Sequence, residues 1–133
     1  MFHSFAPSLL GELTDYLPVL TREFAPPEVE ITGLMDLGTG TAIALKCAPL
    51  LALRGLIAEH FRGSLTVQDL YEPRPHITIQ NKVTKREARA LQAELGPAIA
   101  AREFTFPALE LYLYKGGPWE LVKRSAFRGK DRL

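Results

Sequence analysis

The sequence predicts an α+β fold in which helices pack on antiparallel sheets. Stretches with apolar residues at helical spacing alternate with stretches in which apolar and polar residues alternate one by one, as in half-buried strands. Two of the strand-like stretches are joined by a short glycine-containing turn, which indicates a β-hairpin. With 133 residues, 47% of them hydrophobic and 23% charged, the chain has the composition of a folded globular protein. We therefore expect residues 1–133 to form a single domain.

The first half of the chain predicts two helices around a hairpin. The expected elements are a helix over 8–24, strands over 29–37 and 42–47, and a helix over 49–61. Ser8 is the expected N-cap of the first helix, which has leucines at helical spacing, and Pro18 predicts a kink or an early end. Gly38 and Gly40 suit the turn of the hairpin, and Gly63 ends the second helix.

The second half predicts three strands and one helix. The expected elements are a strand over 76–83, a helix that begins after Thr84, and an antiparallel pair of strands over 104–114 and 119–127. Thr84 with Glu87 three residues later forms a capping box at the start of the helix. Gly96 and Pro97 interrupt this helix.

The strand that begins at His76 carries the candidate catalytic residues. Alternation places its side chains on two faces: Ile77, Ile79 and Val83 on one, and His76, Thr78, Gln80 and Lys82 on the other. An imidazole and a hydroxyl two residues apart, about 6–7 Å along a strand, can contact the same small anion. An imidazole exchanges a proton near neutral pH, and a hydroxyl donates a hydrogen bond to a phosphate oxygen. His76 and Thr78 therefore form a candidate half of a phosphoryl-transfer site.

The run Arg74–Val83 (RPHITIQNKV), followed by the helix opening at Thr84, resembles the two-histidine phosphoesterase superfamily. That superfamily includes the bacterial 2′-5′ RNA ligases and RNA 2′,3′-cyclic phosphodiesterases. The runs over 111–120 and 127–129 also resemble the last hairpin of the ligase-like members, so the resemblance extends from about residue 28 onward. It implies a bilobal fold in which two His-x-Thr or His-x-Ser motifs, one in each lobe, face a shared cleft.

The resemblance also implies a reaction and the roles of two residues. The substrate class is RNA or a nucleotide with a 2′,3′-cyclic phosphate end, which is either opened to a 2′-phosphate or joined to another end by a 2′-5′ bond. The mechanism is acid–base catalysis without a metal or another cofactor. By motif match, His76 is the general acid or base and Thr78 is the ligand of the phosphate.

The sequence departs from the family pattern because it has no second His-x-Thr or His-x-Ser motif. His3 is followed by Phe5 two positions on, and His60 lies at the expected end of a helix, where a structural role is favoured. His76 lies eight residues before Thr84, the expected N-cap of the next helix. The corresponding position eight residues before Ser8, the expected N-cap of the first helix, would fall just before Met1. We therefore expect Met1 to be an internal methionine, with a first motif upstream and an incomplete first lobe. An open sheet edge in that lobe predicts a homodimer.

Two other functions remain open at this point. One is a catalytically dead RNA- or nucleotide-binding module of the same fold, which keeps one phosphate-binding motif. The other is a structural domain in which His76 is buried and hydrogen-bonded. The sequence lacks a His-x-His-x-His run, a glycine-rich phosphate loop, a Cys-x-x-Cys pair and a Gly-x-Ser-x-Gly turn, so the enzyme classes that use them are excluded.

Composition adds expectations about location and partners. The single cysteine, Cys47, cannot form an internal disulfide, which favours a reducing cytoplasm. No apolar run approaches the length of a membrane span of about 20 residues. A basic stretch over 123–130 can attract a phosphate backbone, and it is also compatible with a solvated tail. Tyr112, Tyr114 and Trp119 can stack on a base, although alternate strand positions favour packing for the two tyrosines.

Overall fold

The computed structural model describes residues 1–133, which form two compact units. The first unit contains Met1–Pro27, Ala48–Glu72 and Thr105–Leu133, and the second contains Glu28–Cys47 and Pro73–Phe104. The secondary structure confirms the predicted α+β class. Its elements in chain order are α1 Leu10–Glu23, β1 Glu28–Asp36, β2 Thr41–Lys46, α2 Ala48–His60, β3 His76–Gln80, α3 Lys85–Leu95, β4 Arg102–Thr105, β5 Ala108–Leu113 and β6 Glu120–Ala126. Each of the three helices is too short or too polar to cross a membrane.

The first unit is built around an apolar cluster shared by α1, α2 and the C-terminal strands. α1 contributes the leucines expected from their helical spacing, and three of them are buried: Leu13, Leu17 and Leu20. α2 contributes Leu53 and Ile57 to the same cluster. Each buried leucine or isoleucine stabilises the fold by about 2 kcal/mol relative to an exposed one. The cluster therefore explains why these two helices form despite the proline in α1.

The start and the middle of α1 differ from the sequence prediction. Ser8 is not the N-cap, because it lies within a 3₁₀ turn over Pro7–Leu9, and no side chain caps the helix that begins at Leu10. Of the two effects expected from Pro18, a kink or an early end, the early end does not occur, since α1 continues to Glu23. Proline removes one backbone donor from the helix. Burial of the leucine face on both sides of Pro18 outweighs that loss.

The second unit is a four-stranded sheet with α3 packed on it. The strand order is β3-β2-β1-β4, so β3 lies at one edge. The predicted hairpin of β1 and β2 is confirmed, with antiparallel pairs from Glu30↔Lys46 to Asp36↔Thr41. Gly38 takes a φ of 83° in its turn. The capping box of α3 is confirmed too: Thr84 and Glu87 exchange two hydrogen bonds of 3.1 Å each.

The strand expected over 104–114 is wrong, because the chain divides there into two strands of different sheets. β4 joins the four-stranded sheet, whereas β5 pairs with β6 in a separate two-stranded sheet. Pro107 lies between β4 and β5 and has no N–H group for a strand ladder. The antiparallel pairing of the last two strands is as predicted, from Ala108↔Ala126 to Leu113↔Glu120. Neither outer edge of this two-stranded sheet carries a further strand.

A buried carboxylate ties the start of the chain to the first unit. Asp69 is 5% exposed and accepts hydrogen bonds from the backbone N–H of His3 at 2.6 Å and from the hydroxyl of Thr66 at 2.8 Å. Arg54 donates to the Asp69 carbonyl at 2.6 Å. Burial by itself raises the pKa of the Asp69 carboxyl, but these hydrogen bonds, with one from the Ser4 backbone and the Arg54 charge, lower it below its ordinary value. The folded state therefore favours the ionised carboxylate.

We predict that Asp69→Asn lowers the free energy of unfolding by about 1–3 kcal/mol at neutral pH, because hydrogen bonds to a charged acceptor are lost. A carboxyl with a lowered pKa stabilises the folded state above its ordinary pKa of 3.8, and this contribution is lost as the pH falls through the lower pKa of the folded state. The difference between wild type and variant should therefore shrink below about pH 4. Urea unfolding at several pH values measures it, and a difference independent of pH would contradict this account.

Gly40 allows the chain before β2 to pass close to the end of β3. A Cβ atom at Gly40 would overlap with the backbone carbonyl oxygen of Gln80. Relief of such an overlap requires a backbone shift, which typically costs about 1–3 kcal/mol. We predict that Gly40→Ala lowers the free energy of unfolding by this amount. Gly55→Ala is the matched control, because nothing lies within 4 Å of a Cβ there, and it should be neutral or stabilising. Equal effects of the two substitutions would contradict the prediction.

Candidate active site

The predicted His76 strand is present as β3, although it is shorter than expected. It covers His76–Gln80 rather than 76–83, because Lys82 takes a φ of 55° and the chain leaves the sheet. The backbone N–H of Leu45 donates to the carbonyl of Pro75 at 3.1 Å, just before the strand begins. The sequence predicted that one face of this strand, with Ile77 and Ile79, is buried. This prediction is wrong, because the two side chains are 40% and 42% exposed. The cause is the edge position of β3, which leaves this strand with one neighbour only.

The register of β3 on β2 places the two candidate residues on the same face of the sheet. His76 pairs with Ala44, and Thr78 pairs with Ala42. Residues paired across antiparallel strands point to the same face. His76 and Thr78 thus have small side chains as their neighbours on β2. The hydroxyl and the imidazole are therefore not crowded from that strand.

The other face of the sheet is the one that α3 covers. Gln92 of α3 donates to Asp36 Oδ1 and to Thr41 Oγ1, each at 3.1 Å. Asp36 and Thr41 are paired across β1 and β2, so they share a face, and strand alternation puts their face opposite that of Ala42. His76 and Thr78 therefore lie on the face that turns away from α3. Both residues are exposed.

Gln80 does not share the face of His76 and Thr78, contrary to the expectation from strict alternation. It pairs with Thr41, and the register of β2 and β3 shifts between Thr41 and Ala42. The Thr41 hydroxyl donates to Gln80 Oε1 at 2.9 Å, next to Gln92. The irregularity places one extra residue in β3 and turns Gln80 toward the α3 side. Lys82 lies beyond the strand, so it is not part of the same face either.

The ring of His76 is held by a short local hydrogen bond. Its Nδ1 lies 2.6 Å from the carbonyl oxygen of Arg74. A carbonyl can only accept, so Nδ1 carries the proton in this contact. In the neutral ring, Nε2 then has the lone pair and is the atom left to act as a base or, once protonated, as an acid. The alternative in which His76 is a buried structural residue is wrong, because this residue is exposed.

The two other histidines have different surroundings, both in the first unit. The His60 ring stacks on Tyr16 with centroids 3.7 Å apart, and its Nε2 lies 3.2 Å from Glu12 Oε1. These contacts confirm the structural role expected for His60. His3 uses its backbone N–H to bind Asp69. No group of three or more His, Cys, Asp or Glu side chains is arranged to hold a metal ion.

Two surface features of the first unit supplement the sequence analysis. Tyr114 and Trp119 stack with centroids 4.6 Å apart and are 56% and 62% exposed, so Tyr114 packs on a neighbouring ring at the surface rather than in the core. The basic stretch near the C-terminus lies beside Arg22 of α1 around a pocket. Arg22 gave no signal in the sequence, because only the packing of α1 against β6 brings it to these residues.

The fold and the exposed His-x-Thr strand together are those of a phosphoesterase-like α+β protein. The family model described as 2′-5′ RNA ligase superfamily matches residues 1–118, and the chain belongs to this superfamily, within the two-histidine phosphoesterases. The match begins earlier than the resemblance expected from about residue 28. It ends before the run over 127–129. Curated proteins give no significant match, and neither do solved structures.

Proposed function

We propose that this protein acts on RNA or nucleotide 2′,3′-cyclic phosphate ends, with His76 as general acid or base and Thr78 as the ligand of the phosphate. The reaction is hydrolysis to a 2′-phosphate when water attacks the cyclic phosphate, or joining to a 2′-5′ bond when a 5′-hydroxyl group attacks it instead. The observation that supports this most strongly is the exposed imidazole of His76, whose Nδ1 is bound by the Arg74 carbonyl and whose Nε2 remains available. Membership of the 2′-5′ RNA ligase superfamily supports the substrate class.

The chemistry follows from the two side chains. In hydrolysis a water oxygen attacks the phosphorus atom, the bond from phosphorus to the 3′ oxygen breaks, and the 2′ ester bond remains. His76 Nε2 takes the proton of the attacking water or, when protonated, gives a proton to the departing 3′ oxygen. The Thr78 hydroxyl donates a hydrogen bond to a non-bridging phosphate oxygen, where negative charge develops.

The scheme contains two proton transfers, and His76 Nε2 makes one of them. The sequence holds a single His-x-Thr motif, so a second positioned imidazole is missing from it. A positioned acid or base typically contributes about 10²–10⁴-fold in rate. We therefore expect this chain to be slower by about that factor than an enzyme with both motifs.

We predict that His76→Ala lowers kcat/KM for opening a nucleoside 2′,3′-cyclic phosphate by about 10²–10⁴-fold, since the proton transfer at Nε2 is lost. Thr78→Ala should lower it by about 10²-fold, because one hydrogen-bond donor to the phosphate is removed. Chromatography of the 2′-phosphate product measures both effects. His3→Ala is the matched control, because only the backbone of His3 makes a hydrogen bond, and it should leave the rate unchanged.

The alternative function, a catalytically dead RNA- or nucleotide-binding module, gives a different result in the same experiment. It predicts binding of a short oligonucleotide without product from the wild-type chain or any variant. A fully active His76→Ala variant would contradict the assigned site instead. The missing second motif is the observation that favours this alternative.

We also propose that two copies of the chain associate through an open sheet edge. The two-stranded sheet β5-β6 has no strand on either outer side, and unpaired edges offer backbone groups to another chain. Sedimentation equilibrium should give twice the mass of one chain, and a monomer at all concentrations would contradict the proposed dimer.

We propose a cytoplasmic location because Cys47 is the single cysteine of the sequence and cannot form an internal disulfide.

A further inference from the structure

A pocket of about 230 Å³ lies between α1 and the C-terminal strand of the first unit. Four of the residues around it are cationic, and two carry hydroxyl groups. The lining residues are Pro18, Thr21, Arg22, Lys123, Arg124, Ser125, Ala126 and Arg128. Packing of α1 on β6 brings Arg22 to the basic residues of the C-terminal stretch. In the sequence the stretch over 123–130 is only a run of charges, whereas in the fold most of its residues up to Arg128 line a concave surface.

Ser125 provides an observation that is independent of the charges. This residue is 6% exposed, and its Oγ is buried without a hydrogen-bond partner. Buried hydroxyl groups are normally paired, because an unpaired one has lost water without compensation. The other hydroxyl of the pocket, on Thr21, already donates to the Pro18 carbonyl at 3.3 Å. Ser125 therefore brings an unpaired hydroxyl group to a residue that lines the pocket.

The charges around the pocket are not balanced by the protein itself. No carboxylate forms an ion pair with Arg22, Lys123 or Arg128. Arg124 has its Nε 3.7 Å from Glu110 Oε1, a long and exposed contact that neutralises little. Several like charges around one concavity favour occupation by an anion. A ligand with oxygen acceptors and negative charge satisfies both Ser125 and the cations.

We propose that this pocket binds a phosphate group of an RNA strand through Ser125 and the side chains of Arg22, Lys123 and Arg128. Guanidinium, ammonium and hydroxyl groups are the donors that proteins use for backbone phosphates. The phosphate chemistry follows from the pocket alone, whereas its source in RNA rests on the proposed function. The site is separate in sequence and in unit from His76 and Thr78. No imidazole lines the pocket, so the site holds a phosphate without the proton transfer that His76 makes.

The test measures binding of a short single-stranded RNA without a cyclic end, by fluorescence anisotropy over a range of salt concentrations. The double variant Lys123→Gln/Arg128→Gln should weaken binding about tenfold and reduce the slope of log K against log salt by about 0.7, the value for one phosphate contact. Ser125→Ala should weaken binding severalfold with the slope unchanged, because no charge is removed. Lys130→Gln is the matched control, since this cation of the same stretch does not line the pocket.

Equal effects of the pocket variants and the control would overturn the inference, because general attraction to a basic tail would then suffice. A second measurement on the wild-type chain identifies the ligand by the shift of the Ser125 amide signal in ¹⁵N NMR. A shift with the RNA supports the proposal. A shift with inorganic phosphate that the RNA neither reproduces nor displaces overturns the RNA assignment, and no shift with either overturns the site.

Turnover of a cyclic mononucleotide by the wild-type chain is followed in parallel. Turnover together with pocket variants that bind RNA like the control would overturn this inference and leave the proposed function intact. RNA affinity that depends on the pocket, without any turnover, would overturn the proposed reaction and support the phosphate site. The two failures are therefore distinguishable.

Discussion

The pairing of β3 with β2 determines which side chains of the motif strand can act together. β3 lies at the edge of its sheet, and the pairs Ala44↔His76 and Ala42↔Thr78 put the imidazole and the hydroxyl on one face. A register displaced by one residue would turn both toward α3. The register shifts between Thr41 and Ala42, next to the place where Gly40 passes close to the Gln80 carbonyl. The candidate site therefore depends on the backbone pairing of β3 with Ala42 and Ala44, whose side chains have no catalytic group.

The His76–Thr78 pair on β3 and the cationic pocket of the first unit offer a phosphate different chemical groups. On β3, one imidazole is oriented by a backbone carbonyl and a hydroxyl stands beside it, an arrangement suited to proton transfer at a single phosphate. In the first unit, several unpaired cations and the buried hydroxyl of Ser125 line a pocket, an arrangement suited to holding a phosphate without reaction. Under the proposed function, an RNA with a 2′,3′-cyclic phosphate end offers one reactive phosphate and many unreactive ones, so both arrangements have a use on that molecule.

Much of the fold could be predicted because local rules agree with tertiary packing. Thr84 and Glu87 form the expected capping box, and the hairpin closes at Gly38 as expected. The errors lie where tertiary structure overrides the local rule. Burial of its leucine face carries α1 through Pro18.

Other features of the site could not be predicted from the sequence, because they depend on which elements pair or pack together. The register shift in β3 turns Gln80 away from His76, and such an irregularity depends on the partner strand rather than on the residues of β3. Pro107 could have indicated a break in the predicted strand, but the sequence does not show that β4 and β5 belong to different sheets. Likewise, Arg22 joins the C-terminal cations only through the packing of α1 on β6.

The central claim is that the His76 ring is fixed by the Arg74 carbonyl, so that its Nε2 meets phosphate beside Thr78. Two-bond ¹H–¹⁵N NMR of the imidazole tests this most directly, with a nucleoside 2′-monophosphate as the titrant. The account predicts a proton on Nδ1 of the neutral ring, and a shift of Nε2 and of the Thr78 amide as the ligand binds. A ring protonated on Nε2, with neither signal moving at saturating ligand, would contradict it.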